Sequence, residues 1–354
     1  MSRPTSPEEG PMAHATEDRT APNGAGPDGA AARPASAEGP AKRPLRGRTL
    51  PELGALLLML AALVLFFSLK TPQFMTQGNL LNLLTAVAVT GIIAIPGTML
   101  LIAGQVDLSV GSGAAFCGVM MASIAQEQII LVGVLAAVGI GIAIGVVNGV
   151  LVTVFKVNAL IATLGMMAVL RGLTHVNADG GTIALANFAG LGTARPFLDI
   201  PLPVIILVLV AAIAVVLMRY TVFGRSLYAS GSNPVAARLV GVRGNKMLVL
   251  AFVASGLSVA LSGLVLTSQL SAASPNSATG LELTVVTAIV LGGASLSGGR
   301  GTIQGTLVGL LIIGVVNNGL TLMNVNSFYQ QVASGTLLIL AVAFDQLRLR
   351  LAKT

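Results

Sequence analysis

The sequence predicts an all-α integral membrane protein of about ten transmembrane helices behind a disordered N-terminal tail. Three observations predict it. Apolar stretches of spanning length recur along the chain, and a bilayer core of ~30 Å needs ~20 helical residues. Only 9% of the 354 residues are charged and 54% are hydrophobic, whereas a soluble domain carries roughly a quarter charged residues. The Lys and Arg side chains cluster just outside the apolar stretches, as bilayer topology demands. The two-residue alternation of a membrane β-barrel is absent from the pattern.

Residues 1–51 hold nine of the sixteen prolines together with Ala, Gly and Glu. Such a segment buries too little apolar surface to offset its ordering entropy and reads as a disordered tail. It has no apolar core of the secretory-signal kind. The transmembrane domain then runs over 52–347, leaving 348–354 as a short C-terminal tail. The expected spans are Leu53 to Leu69, Leu81 to Ala103, Leu108 to Ala125, Ile129 to Phe155, Ala159 to Val176 and Leu202 to Met218. After a basic segment come Met247 to Leu270, Leu283 to Leu296, Ile303 to Met323 and Phe328 to Phe344. The eighth is short and carries a break signal at Gly292 and Gly293.

Six spans separate a cytoplasmic start from the basic segment 219–246. With ten spans, fourteen juxtamembrane Lys and Arg fall inside, against Lys70, Arg171 and Arg195 outside. The positive-inside rule therefore predicts both termini in the cytoplasm. The net charge of +7 has the same origin: beyond residue 52 there are thirteen basic and six acidic residues. Basic flanks of membrane spans explain the charge, so nucleic-acid binding is not expected.

Catalytic and metal chemistry find little to build on. Cys117 is the one cysteine, and His14 and His175 lie far apart. No disulfide framework or thiolate cluster can form from that set. No lysine follows a glycine, so the phosphate-cradling Gly-Lys-Ser/Thr loop is missing. The chain reads as a non-enzyme that needs neither cofactor nor metal, and ATP hydrolysis would have to occur elsewhere.

The polar residues inside the spans are amides and hydroxyls: Asn148, Ser255, Ser258, Ser262, Thr287, Asn317 and Asn318. With no ionisable residue at a span centre, the set suits a neutral polar solute better than an ion. Interhelical hydrogen bonding is the plainer use of the same residues. Asp107 and Glu282 each begin a span, Glu282 on the outer side, and each reads first as an N-cap against the helix dipole. Asp107 could instead belong to a cytoplasmic gate, and Glu282 could meet a polar ligand or a periplasmic partner. The 42 glycines are spread through the spans, where small residues let helices approach closely. An internal parallel repeat is expected from Gly104-Gln-Val-Asp-Leu-Ser-Val-Gly111 and Gly292-Gly-Ala-Ser-Leu-Ser-Gly-Gly299.

Segment 219–246 carries helix punctuation of its own. Ser232 or Asn233 offers an N-cap, Pro234 suits the first helical position, and Gly241 suits the C′ position. A short helix over Val235 to Val240 between basic flanks is expected. It would lie on anionic lipid or serve as a handle for a cytosolic partner.

Gly224 to Val242 resembles the coupling loop of permease subunits of ABC-type monosaccharide importers. Gln105-Val-Asp-Leu-Ser-Val-Gly-Ser112 is similar to that family's Gly-Ile-Asp-Leu-Ser-Val-Gly-Ser, with Gln105 and Val106 in place of Gly and Ile. Ala162 to Gly172, Thr279 to Leu283, Val290 to Gly301 and Asn317 to Leu320 extend the resemblance across roughly 53–347. It is closest to the ribose-carrying members, although xylose, galactose and autoinducer permeases share the motifs. The resemblance implies a multi-pass subunit of the bacterial inner membrane, paired with a second copy. It also implies an ABC ATPase beneath and a periplasmic sugar-binding protein above. Gly224, Gly231, Asn233, Pro234, Ala236, Ala237 and Gly241 would couple to the ATPase. Gate or pathway candidates are Asp107, Ser109, Asn148, Glu282, Ser295, Asn317 and Asn318. A branched-chain amino-acid permease and a secondary carrier are the alternatives.

Overall fold

A computed structural model describes the backbone of residues 49–351 and the side chains of 53–343. The expected tail lies outside the described residues up to position 48. The first helices are α1 (Thr49–Lys70), α2 (Gln77–Ile102), α3 (Val110–Glu127), α4 (Ile130–Thr153) and α5 (Ala159–Asn177). A connection follows with β1 (Ile183–Ala184) and the single turn α6 (Gly190–Thr193), then α7 (Leu202–Tyr220). The basic segment forms α8 (Val222–Ser232) and α9 (Pro234–Leu239). The remainder is α10 (Gly244–Leu270), β2 (Ala272–Ala273), α11 (Leu281–Leu291), α12 (Ile303–Leu322) and α13 (Ser327–Leu351).

Among the described residues, seven helices are long and apolar enough to cross a bilayer: α1, α2, α4, α5, α7, α10 and α12. With α3, α11 and α13, the ten expected spans are all helical. α13 runs to Leu351, beyond the expected boundary at 347, because no Gly or Pro follows Phe344 to stop it. The expected short helix of the basic segment is present as α9. The second helix ahead of it, α8, was not expected.

α10 is the central post and packs on α4, α3 and α2. Along α4, Gly141, Gly145 and Gly149 present a flat stripe to α10. A Cβ on Gly141 would overlap the Gly256 carbonyl, and one on Gly256 would overlap Gly141 in turn. Only small residues permit backbones that close, and the reward is van der Waals contact that lipid cannot supply. α2 is buried over 78% of its most apolar window, whereas α1 is buried over 6%. α2 is therefore core, and α1 lies at the rim of the bundle.

Two elements start inside the bundle rather than at its surface. In α3, a Cβ on Gly113 would stand 2.8 Å from Val259 and 3.9 Å from Ile144, residues in the middle of α10 and α4. Gly111 faces the Glu282 carboxylate and the Ala278 carbonyl, so α11 starts at that depth too. At 1.5 Å per residue, the 11 residues of α11 cover ~16 Å, about half of a bilayer core. Stretches 104–109 and 274–280 thus run non-helically into the bundle. Buried backbone of this kind is tolerated at membrane depth because protein, not lipid, surrounds it.

This path corrects the reading of Asp107 and Glu282 as N-caps at the starts of spans, although Glu282 does lie in the first turn of α11. Asp107 precedes the first residue of α3 by three positions, and Glu282 is the second residue of α11, whose N-cap is Gly280. Both carboxylates lie within the bundle, so the lack of ionisable groups at span centres no longer argues against ion coupling.

Candidate functional site

On one side of the bundle, α8 and α9 form the segment between α7 and α10. Asn233 is extended (φ −153°), and its side chain accepts the Ala236 N–H at 3.0 Å. Pro234 follows at the first helical position, where its missing N–H costs nothing. Gly241 adopts φ +80° and lets the chain reverse after α9. Val235, Leu239 and Val240 are 68%, 84% and 79% exposed, an apolar face on a six-residue helix. That face was missed in the sequence, although the spacing of Val235 and Leu239, one helical turn apart, signals it.

The other coupling candidates divide by direction. Ala236 is exposed, whereas Ala237 is buried against the chain's own body. Gly224 packs on the Met218 backbone, which closes the turn from α7 into α8. Gly231 packs on the Ile102 carbonyl, and a Cβ there would also stand 2.8 Å from the Gly299 nitrogen. Gly224, Gly231 and Ala237 therefore make contacts within the chain. Tyr228, also on α8, donates its hydroxyl to the Gly301 carbonyl at 2.8 Å. Burial pushes its pKa above the usual tyrosine value, so the hydroxyl stays a donor at neutral pH.

The motif Gly104 to Gly111 meets the motif Gly292 to Gly299 at this place. The Gly299 N–H donates to the Ile102 carbonyl at 2.8 Å. Ser295 shapes the second loop: its N–H donates to the Arg300 carbonyl at 3.2 Å, and its carbonyl accepts from Gly298 at 3.0 Å.

Farther into the bundle, Asp107 and Ser109 join α4 and α10. Oδ1 of Asp107 accepts the Ser109 N–H at 3.0 Å and the Ser109 hydroxyl at 2.6 Å. Oδ2 accepts the Ser255 hydroxyl at 3.0 Å, and Asn148 Nδ2 donates to Ser109 Oγ at 3.0 Å. Asp107, Ser109 and Asn148 are all buried. Three elements meet at this cluster, which suits a joint better than an open pathway. Glu282 takes no hydrogen bond from this cluster; its Oε1 accepts the Gly280 N–H at 3.3 Å.

Most of the expected mid-span polar groups are bound internally. Ser262 donates to the Val89 carbonyl, Ser258 to that of Ser255 and Thr287 to that of Leu283. Asn317 and Asn318 behave differently. They line an open cleft of about 330 Å³ between α2, α11 and α12, with Asn82, Thr90, Thr284 and Thr321 as its other polar groups. No charged residue lines it. Asn318 and Asn79 exchange amide hydrogen bonds at 2.8 and 2.9 Å. The buried Asn317 Oδ1 has no partner among the described residues. A volume of this order falls at the lower end of small-molecule sites, roughly 300–1,000 Å³. The cleft occupies the half of the bundle away from α9, and α2 and α11 descend from it to the loops beside α8. Among the described residues no cluster of three metal-ligating side chains occurs.

Residues 79–342 match the family model described as branched-chain amino acid transport system / permease component. The chain belongs to this permease family. It is 40% identical to the ribose import permease protein RbsC of Escherichia coli K12 over 296 residues, 82% of this chain and 92% of that one. It is 42% identical to RbsC of Bacillus subtilis 168, over 80% of this chain and 89% of the relative. With the L-arabinose ABC transporter permease protein AraH of Azospirillum brasilense it shares 40%, over 82% and 87%. No solved structure matches the chain. Membership makes the chain a multi-pass transport subunit of the ABC importer class.

Proposed function

We propose that the chain is the permease of an ATP-driven monosaccharide importer, with a pentose such as D-ribose as cargo. The observation that carries the reading is the cleft lined by amides and hydroxyls and free of charge. A sugar needs hydrogen-bond partners on several sides and no counter-ion. Binding must also stay weak enough for release, which a few neutral hydrogen bonds provide. The relatives named for ribose and arabinose permeation support the same class.

In this reading the α9 side faces the cytoplasm of a bacterial inner membrane, with both termini on that side. A separate ABC ATPase docks on Val235, Leu239 and Val240. A periplasmic binding protein delivers sugar to the opposite side, and a second copy of the chain completes the pathway. The bias of basic residues toward the α9 side supports the orientation.

A branched-chain amino acid is the second reading, favoured by the family model's own description. The cleft argues against it, since a zwitterion would leave two charges facing amides and hydroxyls. The discriminating experiment reconstitutes the chain with its ATPase and binding protein in vesicles. Labelled D-ribose should enter and be displaced by excess unlabelled ribose. Displacement by L-leucine instead, with no effect of ribose, would establish the amino-acid reading.

A further inference from the structure

We infer that α8 clamps the inner ends of α2 and α11 into one body, with Tyr228 as the positioning residue that fastens it, so that the docking helix moves both cleft-lining helices together. The inference rests on the importer reading. Three chain segments interlock at this place. Ile102 ends α2, and its carbonyl accepts the Gly299 N–H at 2.8 Å. That bond ties α2 to the loop following α11. Gly231 of α8 lies against both partners of the bond, the Ile102 carbonyl and the Gly299 nitrogen. A Cβ on Gly298 would fall 2.9 Å from Gly104 Cα and 3.0 Å from the Gly231 carbonyl oxygen. Any side chain larger than hydrogen would prise the segments apart.

Tyr228 sits one turn back on α8 and reaches across to the Gly301 carbonyl. The hydrogen bond fixes the roll of α8 relative to the second loop, which glycine packing alone leaves free to slide. One end of the joined unit continues into α9 with its exposed apolar face. At the other end, α2 presents Asn82 and Thr90 to the cleft and α11 presents Thr284. A displacement of α9 therefore reaches two walls of the cleft at once. The glycines in both loop motifs keep the three backbones in contact, and the close-packed joint transmits movement instead of absorbing it.

The test uses the full chain assembled with its ATPase and binding protein in proteoliposomes. Tyr228→Phe keeps the ring and removes the donor. Loss of one hydrogen bond of ordinary strength should raise the ATP hydrolysed per D-ribose imported by about fivefold. Assembly with the ATPase should remain at the wild-type level. An unchanged ratio in a complex that imports ribose overturns the clamp and leaves the sugar reading intact. Failure of the wild-type complex to import ribose counts against the sugar reading alone.

The second arm does not depend on the sugar's identity. Gly231→Ala drives a methyl group into the Ile102 carbonyl and should open the same joint without touching α9. Assembly with the ATPase should persist, while stimulation of ATP turnover by the binding protein is lost. Turnover in this variant that the binding protein still stimulates as in wild type overturns the inference.

Discussion

Asn317 and Asn318 are neighbours on α12 with different surroundings. Asn318 is held by two hydrogen bonds between its side-chain amide and that of Asn79 across the helix interface. Asn317 keeps its Oδ1 unpaired at the cleft. Asn318→Ala should therefore destabilise the protein by about 1–3 kcal/mol, since it leaves Asn79 short of its partner. A lowered melting temperature in detergent would show it. Asn317→Ala should leave the melting temperature near wild type and raise the KM for ribose about three- to tenfold. Equal melting losses in both variants would contradict the division. At this scale the sequence was legible wherever the physics was local. Asn233, Pro234 and Gly241 were read correctly because a cap, a first-turn proline and a positive-φ reversal depend on adjacent backbone alone. The depths of Asp107 and Glu282 were illegible because they depend on where the extended stretches before α3 and α11 travel. Local preference carries no record of that path.

Among the elements, α4 and α10 depend on the small-residue seam between them. Gly256→Val should lower stability by about 1–3 kcal/mol through overpacking, measured as loss of monodisperse protein on heating. Gly139→Ala on α4 meets nothing within 4 Å and should be neutral. A neutral Gly256→Val would mean that the seam is looser than described. For α9, Leu239→Asp places a charge on its exposed apolar face. The variant should insert and melt like wild type yet lose co-purification with the ATPase. Retained co-purification would move the docking surface elsewhere. The long spans were legible because a run of apolar residues leaves lipid as the only solvent that suits it. α8 was not, since its 11 residues are mixed in character and their burial comes from α7 and the two loops. The half-length of α11 was signalled by Gly292 and Gly293, whereas its starting depth was not.

Across the whole molecule, the cleft and the docking helix stand on opposite halves, joined by α2, α11 and the glycine joint beside α8. Under the proposed function, energy enters at α9 and is used at the cleft. The layout gives directionality to a chain with no phosphate-binding loop of its own. The central claim is that a neutral sugar crosses through this chain at the expense of ATP hydrolysed by a partner. The most direct measurement is D-ribose accumulation in proteoliposomes that hold the chain alone or with its ATPase and binding protein. Accumulation against a concentration gradient should require both partners and ATP on the α9 side, and a proton or sodium gradient should not replace them. Concentrative uptake by the chain alone under such a gradient would contradict the account and establish a secondary carrier, with Asp107 or Glu282 as the first residue to examine.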